Sequence, residues 1–272
     1  MYSGSRRETM SDLLMSAGFE LKENVRNRWI FAYFSFFLIL SGLLLYFGGN
    51  ENGKTAASLL NAVLLLIPLF SLLFGAMNFS DSLPFMEVIF VRPISRKDYF
   101  IGKWLGLSSA LNIGYFFGAG IPMLIFMSDG RFLFLSFQLL VYGCLLNMSF
   151  TAISFFIGTV FLKREAVLSA ALSVWFFFYL FYDFLMLGIS IHFGEYPLEI
   201  PILILTVLNP LDLVRIVTIL QMDNAVLLGF TSAFYQKYLG SFGGISLCLT
   251  FLSFWTVLPA YFSLRLFSRR DL

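Results

Sequence analysis

The sequence predicts an all-α integral membrane protein with six transmembrane helices, because it combines low charge, long apolar segments and a one-sided distribution of cations. Of the 272 residues, 59% are hydrophobic and only 12% are charged, whereas soluble domains carry about 25% charged residues. The mean hydropathy is +0.84. We therefore expect lipid to contact most of the protein surface.

Six segments are long enough to cross a bilayer, which takes roughly 20 apolar residues in a helix. They are residues 29–50, 55–80, 104–128, 132–162, 166–191 and 239–264, which we number spans 1 to 6. After span 5, the apolar stretch 200–208 is too short to cross alone and predicts a re-entrant or interfacial segment. Residues 1–272 are expected to form a single transmembrane domain.

The lysines and arginines indicate the orientation, because cytoplasmic loops are enriched in both. With a cytoplasmic N-terminus, 14 of the 18 cations lie on the inner side, and only Lys54, Arg131, Arg215 and Lys237 lie outside. Both termini are then predicted to be cytoplasmic, and residues 195–238 are predicted to form an extracytoplasmic segment.

An amphipathic helix is predicted before span 1, over residues 9–28. Its apolar residues recur at helical spacing, while Asp12, Glu20 and Glu23 lie on the opposite face. We expect this helix to lie along the inner membrane interface and to lead into span 1 at Trp29.

Few polar groups occur inside the predicted spans, which argues against several classes of membrane enzyme. The only histidine, His192, lies near the outer end of span 5, and neither Cys144 nor Cys248 has a second ligand at metal-binding spacing. No span holds a pair of acidic residues, and no GxxxxGK[ST] nucleotide-binding motif is present. The sequence therefore predicts a non-enzymatic chain that binds no metal, no cofactor and no nucleic acid, with a polytopic membrane enzyme as an alternative.

One carboxylate, that of Asp183, lies inside span 5, where an unpaired charge is costly. The outer segment that follows contains Asp212 and Arg215 at i, i+3, in a helix that Pro210 and an N-cap Asn209 are expected to begin. We predict that Asp183 pairs with Arg215 at the outer end of the bundle. Two roles remain open for this pair, a clamp that holds the outer segment and a gate that contacts the substrate.

The inner loop between spans 2 and 3, residues 81–103, is predicted to contain a short cytoplasmic helix that ends before Pro93. Phe85 and Ile89 would share its apolar face, whereas Glu87 would point away from that face. This helix would lie on the cytoplasmic side.

A second helix is predicted to begin at an N-cap Ser95, with Asp98 completing a capping box, and to continue rigidly into span 3. Lys103 is expected to extend its ammonium group to the membrane interface. Further along span 3, Gly114 and Gly118 form a GxxxG motif, a weak indication of close helix packing or of a dimer.

The inner loop resembles that of ABC-2-type transporter permeases, in which an acidic short helix, a Pro-[ILV]-[ST]-Arg turn and a Gly-Lys-aromatic-x-Gly sequence recur. The matching residues are Glu87, Pro93-Ile94-Ser95-Arg96 and Gly102-Lys103-Trp104-Leu105-Gly106. The six spans, the interfacial helix and the inner termini match as well. Asp183 in span 5 and residues 208–215 (LNPLDLVR) make the chain most similar to the permeases that accompany nitrous oxide reductase maturation.

The resemblance implies a permease subunit of an ABC transporter in the cytoplasmic (inner) membrane of a bacterium or archaeon. It implies a homodimer that binds two copies of a P-loop ATPase, and this ATPase binds ATP and Mg²⁺. The short inner helix would be the coupling helix, and the ATPase would dock through Phe85, Glu87, Ile89, Arg92 and Arg96. The narrower similarity implies export of a sulfur species or a precursor for the copper site of nitrous oxide reductase, and a periplasmic β-helix accessory protein. Export of lipid, polysaccharide or drug is an alternative, as is a membrane scaffold or assembly factor without transport.

Overall fold

The computed structural model describes residues 17–48, 52–89, 95–126, 130–161, 163–194, 196, 198–222, 232–240 and 242–269. Within these ranges the chain forms ten helices and no β-strand. In chain order they are α1 (residues 17–25), α2 (Arg28–Gly48), α3 (Asn52–Ile89), α4 (Arg96–Phe126), α5 (Gly130–Phe161), α6 (Arg164–His192), α7 (Glu199–Leu208), α8 (Pro210–Gln221), α9 (Ser232–Leu239) and α10 (Phe242–Arg269).

Six of these helices, α2 to α6 and α10, are long and apolar enough to cross a membrane. They correspond in order to spans 1 to 6, so the predicted all-α fold with six transmembrane helices is confirmed. The predicted short stretch after span 5 forms α7, and the chain bends by 114° between α7 and α8.

The sequence predicts that span 2 ends near Asp81. In the structure α3 instead continues as one 38-residue helix to Ile89. No separate short helix precedes Ile89; that part of the inner loop is an extension of span 2. The extension includes Pro84, and Phe79 and Met86 on either side of it are buried, which holds the helix together through the proline. A helix of this length measures about 57 Å, compared with a hydrocarbon core of about 30 Å, so its last turns project from the membrane.

Span 4 (α5) is the most buried of the six spans and lies at the centre of the bundle. Four of its polar side chains bond to different neighbouring helices, which replaces the water that a membrane interior lacks. The bonds join Asn147 Oδ1 to Tyr33 Oη (3.2 Å) and Ser71 Oγ (2.6 Å), Ser149 Oγ to Thr256 Oγ1 (2.7 Å), Thr151 Oγ1 to Ser108 Oγ (2.8 Å), and Ser154 Oγ to the carbonyl of Leu72 (2.8 Å). Spans 1, 2, 3, 4 and 6 are therefore tied into one bundle.

The GxxxG motif of span 3 faces span 1 of the same chain. A Cβ atom on Gly118 would lie 2.7 Å from the carbonyl oxygen of Phe34, and one on Gly114 would lie 3.1 Å from Cδ1 of Tyr33. The absence of side chains lets the two helices approach closely. Because span 1 occupies this face, it is not free to contact a second copy.

Span 5 (α6) lies at the edge of the bundle, since only 6% of the residues in its most apolar stretch are buried within the chain. It contains a five-residue π-helical segment, Phe177–Phe181. The indole N–H of Trp175 donates to the carbonyl of Leu65 in span 2 (3.1 Å). Span 5 thus contacts the bundle along one edge and exposes the rest of its surface.

Candidate functional site

At the inner end of the bundle, α1 docks against span 3 through a buried ion pair. Nζ of Lys103 lies 3.2 Å and 3.3 Å from the two carboxylate oxygens of Glu20. Lys103 is 6% exposed and Glu20 is 9% exposed, so Lys103 does not extend to the interface and Glu20 does not face solvent. Both expectations were wrong, because each charge is the partner that makes burial of the other tolerable.

Two further contacts fix α1 against spans 2 and 3. A Cβ atom on Gly106 would lie 2.5 Å from Cβ of Glu20, so only glycine allows this approach. Asn78 Nδ2 donates to Oδ1 of the buried Asn24 (3.0 Å), whose own Nδ2 donates to the carbonyl of Glu20 (2.8 Å). The Gly-Lys-aromatic-x-Gly sequence of span 3 thus forms the surface on which α1 packs.

The structure describes some of the residues that are predicted to dock the ATP-binding subunit. Phe85, on the extension of span 2, is 59% exposed. Glu87 and Ile89 lie in the last turn of α3, but the structure does not describe their side chains, and Arg92 lies outside the described residues. Arg96 begins α4 and is half-buried.

The predicted joint lies at the start of span 3. Ser95 directly precedes α4, and its carbonyl accepts from the amide of Tyr99 (3.1 Å). Asp98 lies in the first turn of the helix. These positions suit an N-cap and a capping box, and the side-chain bonds of that capping box stay a prediction.

A surface ion pair, which the sequence analysis missed, joins the extension of span 2 to span 5. Nη1 of Arg164, the first residue of α6, lies 3.1 Å from Oδ1 of Asp81, and both side chains are about half exposed. The two residues are far apart in sequence and lie on helices whose neighbourhood the sequence did not predict.

At the outer end of the bundle, the structure brings Asp183, Asp212 and Arg215 together. Nη1 of Arg215 lies 2.9 Å from Oδ1 of Asp183 and 3.1 Å from Oδ1 of Asp212. The guanidinium therefore serves two carboxylates, of which Asp212 is buried and Asp183 is half exposed. The predicted contact between Asp183 and Arg215 is present; its role as clamp or gate stays a prediction.

Asn209 orders this cluster at the sharp bend between α7 and α8. Its Oδ1 accepts from the amide of Leu211 (3.0 Å), which is the predicted N-cap, and Pro210 opens the helix as predicted. Its Nδ2 donates to Oδ2 of Asp212 (3.0 Å) and to the carbonyl of Phe178 (3.0 Å) in the π-helical segment of span 5. One side chain thereby connects the bend, the ion cluster and span 5.

Comparison with known families identifies this arrangement. The family described as "ABC-2 family transporter protein" matches residues 14–272. The chain belongs to the ABC-2 transporter family. A protein described as "Probable ABC transporter permease protein NosY", from Pseudomonas aeruginosa, is 28% identical over 233 residues, which is 76% of this chain and 81% of that protein. A protein of the same description from Stutzerimonas stutzeri is 27% identical over 218 residues, which is 74% of this chain and 78% of that protein.

These similarities make the chain a multi-pass membrane protein and a transporter permease subunit of the ABC-2 family. Such permeases work with an ATP-binding subunit. The predicted resemblance to ABC-2 permeases, and within them to the permeases named NosY, is confirmed. The family also favours a transport subunit over an enzyme.

The shared guanidinium of this ABC-2 permease predicts unequal effects of two substitutions. Asp183→Asn leaves Arg215 paired with Asp212, so we expect a loss of about 0–1 kcal/mol, as for an exposed pair. Arg215→Gln leaves the buried Asp212 without its cation and is expected to cost about 1–3 kcal/mol. Thermal unfolding in detergent measures the difference, and equal losses would contradict the shared pairing.

Proposed function

We propose that this chain is the transmembrane subunit of an ABC exporter, that it acts as a homodimer, and that each copy binds one of two ATP-binding subunits. The observation that carries the proposal is the extension of span 2, a continuous helix that projects from the membrane and carries the exposed Phe85 one turn before its end at Ile89. The ATP-binding subunits supply the nucleotide-binding motif that this sequence lacks, and they bind ATP and Mg²⁺.

The proposed coupling follows from the continuity of α3. Closure of the ATP-binding subunits around ATP would push the projecting end of α3, and a continuous helix passes that push into span 2 without a hinge. The pair between Asp81 and Arg164 would pass part of it to the start of span 5. The buried polar bonds of span 4 support motion of spans 1, 2, 3, 4 and 6 as one body.

The homodimer is supported by the exposure of span 5. Only 6% of the residues in the most apolar stretch of span 5 are buried within one chain, and span 5 carries the half-exposed carboxylate of Asp183. A second copy packed on this edge would cover the apolar surface of span 5 and the exposed part of Asp183. The outer ion cluster would then lie beside the interface between the two copies, where a clamp on the outer segment bears on substrate passage.

The similarity to permeases named NosY supports a proposal for the cargo. We infer export of a sulfur species or a precursor used to assemble the copper site of nitrous oxide reductase, received outside by a periplasmic β-helix protein. Both relatives come from bacteria, which supports a bacterial inner membrane as the location.

The substitution Phe85→Ala tests the docking surface. Removing an exposed aromatic anchor from the centre of an interface costs about 1–2 kcal/mol or more, so we expect the affinity for the isolated ATP-binding subunit to fall about 5- to 30-fold. Thermal stability of the permease should not change, because Phe85 is exposed. Biolayer interferometry on the permease in nanodiscs measures the affinity.

Phe137→Ala is the matched control, since Phe137 is a 59% exposed aromatic near the outer end of span 4, on the opposite side of the membrane from the extension. The control should bind the ATP-binding subunit like the wild type. Equal affinities for the Phe85 and Phe137 variants would exclude the extension of span 2 as the docking surface.

A further inference from the structure

A cavity of about 530 Å³ lies at the inner end of the bundle, between α1, the start of span 1, and spans 2 and 3. This volume is within the range of about 300–1,000 Å³ that is typical of small-molecule sites. The residues that line it are Phe19, Glu20, Glu23, Asn24, Asn27, Trp29, Ile30, Phe74, Met77, Asn78, Asp81, Ser82, Phe85, Lys103 and Leu107.

One wall of the cavity is fixed by buried polar contacts. The pair of Glu20 and Lys103 and the bond between Asn24 and Asn78 hold α1 in place beside spans 2 and 3. Gly106 lets α1 approach span 3 closely enough to make these contacts. The cavity is therefore preformed, and a ligand would not need to order its wall.

The lining changes from apolar to polar along span 2, in the direction from the membrane to the cytoplasm. Phe74 and Met77 come first, Asn78, Asp81 and Ser82 follow, and the aromatic ring of Phe85 closes the cytoplasmic end. From Phe74 to Ser82 the helix rises by roughly 12 Å, which takes a ligand from the hydrocarbon region into the headgroup layer. This gradient matches a phospholipid, because the boundary between its acyl chains and its headgroup lies at the depth where the lining changes from apolar to polar.

The rim of the cavity also indicates a lipid occupant. Phe19 is 67% exposed and Trp29 is 58% exposed, and both belong to the segment that leads into span 1. Aromatic side chains at this position contact the interfacial layer of the bilayer. A ligand that enters past them comes from the membrane, not from the aqueous phase.

The charges of the lining select the headgroup. Three carboxylates, those of Glu20, Glu23 and Asp81, line the cavity, and the one cation in the lining, Lys103, is already paired with Glu20. Glu23 forms no ion pair with any residue that the structure describes. Asp81 is paired with Arg164, so the carboxylate of Glu23 is the one in the lining left to attract a primary ammonium group. That group could also donate to Oδ1 of Asn78, a buried oxygen with no hydrogen-bond partner among the described residues.

We propose that this cavity is a binding site for an ethanolamine phospholipid. Its ammonium group lies beside Glu23 and Oδ1 of Asn78, and an acyl chain lies along Phe74 and Met77. The lipid fills the space between α1 and span 2 and so links α1 to the helix whose end projects into the cytoplasm. This site is independent of the transported cargo, and its lining includes Phe85, the proposed anchor for the ATP-binding subunit.

Native mass spectrometry of the detergent-purified chain, incubated with vesicles of equal phosphatidylethanolamine and phosphatidylglycerol, tests the site. The wild type should retain phosphatidylethanolamine. Glu23→Arg should lower that retention at least about fivefold, because it reverses the charge that faces the ammonium group. Met77→Trp, which fills the apolar end without changing charge, should lower retention of both lipids. Glu165→Arg is the matched control, since Glu165 is an exposed acid in the first turn of span 5, outside the cavity.

Equal retention of phosphatidylethanolamine by the Glu23→Arg and Glu165→Arg variants would overturn the proposal. So would a Glu23→Arg variant that keeps its lipid but loses affinity for the ATP-binding subunit, because the cavity would then be a protein-docking site. A second comparison uses phosphatidylcholine, whose quaternary ammonium group has no N–H donors. Retention of phosphatidylcholine at the level of phosphatidylethanolamine would contradict recognition of a primary ammonium group.

Discussion

Lys103→Ala is expected to destabilise the protein by about 3–5 kcal/mol and to release α1 from span 3, because it leaves the carboxylate of Glu20 buried without a cation. Thermal unfolding in detergent measures the loss of stability. Limited proteolysis measures the release, since cleavage within α1 should become fast in the variant and remain slow in the wild type.

Two further variants separate the lost ion pair from other causes. Adding Glu20→Gln to Lys103→Ala removes the orphaned charge and should restore part of the stability. Lys97→Ala removes a cation from an exposed position in the first turn of the same helix and should have little effect. If Lys103→Ala were as stable as Lys97→Ala, the buried pair would not be what holds α1.

Gly118→Val is expected to disrupt the packing of span 1 on span 3. Its new Cβ atom would lie 2.7 Å from the carbonyl oxygen of Phe34, and a backbone atom cannot rotate away as a side chain can. We expect a loss of about 2–3 kcal/mol, at the upper end of the range for overpacking. The thermal midpoint in detergent measures this loss.

Gly188→Val is the matched control, because nothing lies within 4 Å of a Cβ atom at Gly188 in span 5. The two substitutions add the same β-branched side chain to a helix, so the difference between them isolates the helix contact. Comparable losses in both variants would mean that span 1 can move away from span 3 at little cost. A loss at Gly188 alone would indicate a contact between copies along span 5.

The number of spans and the outer ion pair could be predicted from the sequence, for different physical reasons. Spans are visible because a bilayer imposes a length and an apolar composition on each helix. The contact between Asp183 and Arg215 could be predicted because a charge inside a span needs a partner, and the sequence places few cations on the outer side. The sequence did not predict the second ion pair of Arg215, with Asp212, because that contact depends on the bend at Asn209.

The inner junction could not be predicted in the same way. Charges at the ends of spans normally reach the interface, so Lys103 and Glu20 gave no sign of burial. A signal did exist, because Lys103 and Gly106 are three residues apart and share a helix face, as do Glu20 and Asn24 at a spacing of four. Which faces meet is a tertiary property that one sequence does not contain.

The end of span 2 was misplaced because Asp81 and Pro84 are typical of a helix boundary. Buried contacts of Phe79 and Met86 outweigh that local preference and keep α3 continuous to Ile89. The difference matters for function, since a continuous helix transmits force where a hinged loop would absorb it. The π-helical segment of span 5 likewise had no sequence signal, because its five residues are as apolar as the helix around them.

The most direct measurement of the central claim is the composition and activity of the complex purified through a tag on this chain. Native mass spectrometry should find two copies of the 31.0 kDa chain with two copies of an ATP-binding subunit. ATP hydrolysis by that complex in liposomes should be lost when the extension of span 2 can no longer bind. A chain that purifies as a monomer without any ATP-binding subunit, and that still supports transport, would contradict the account.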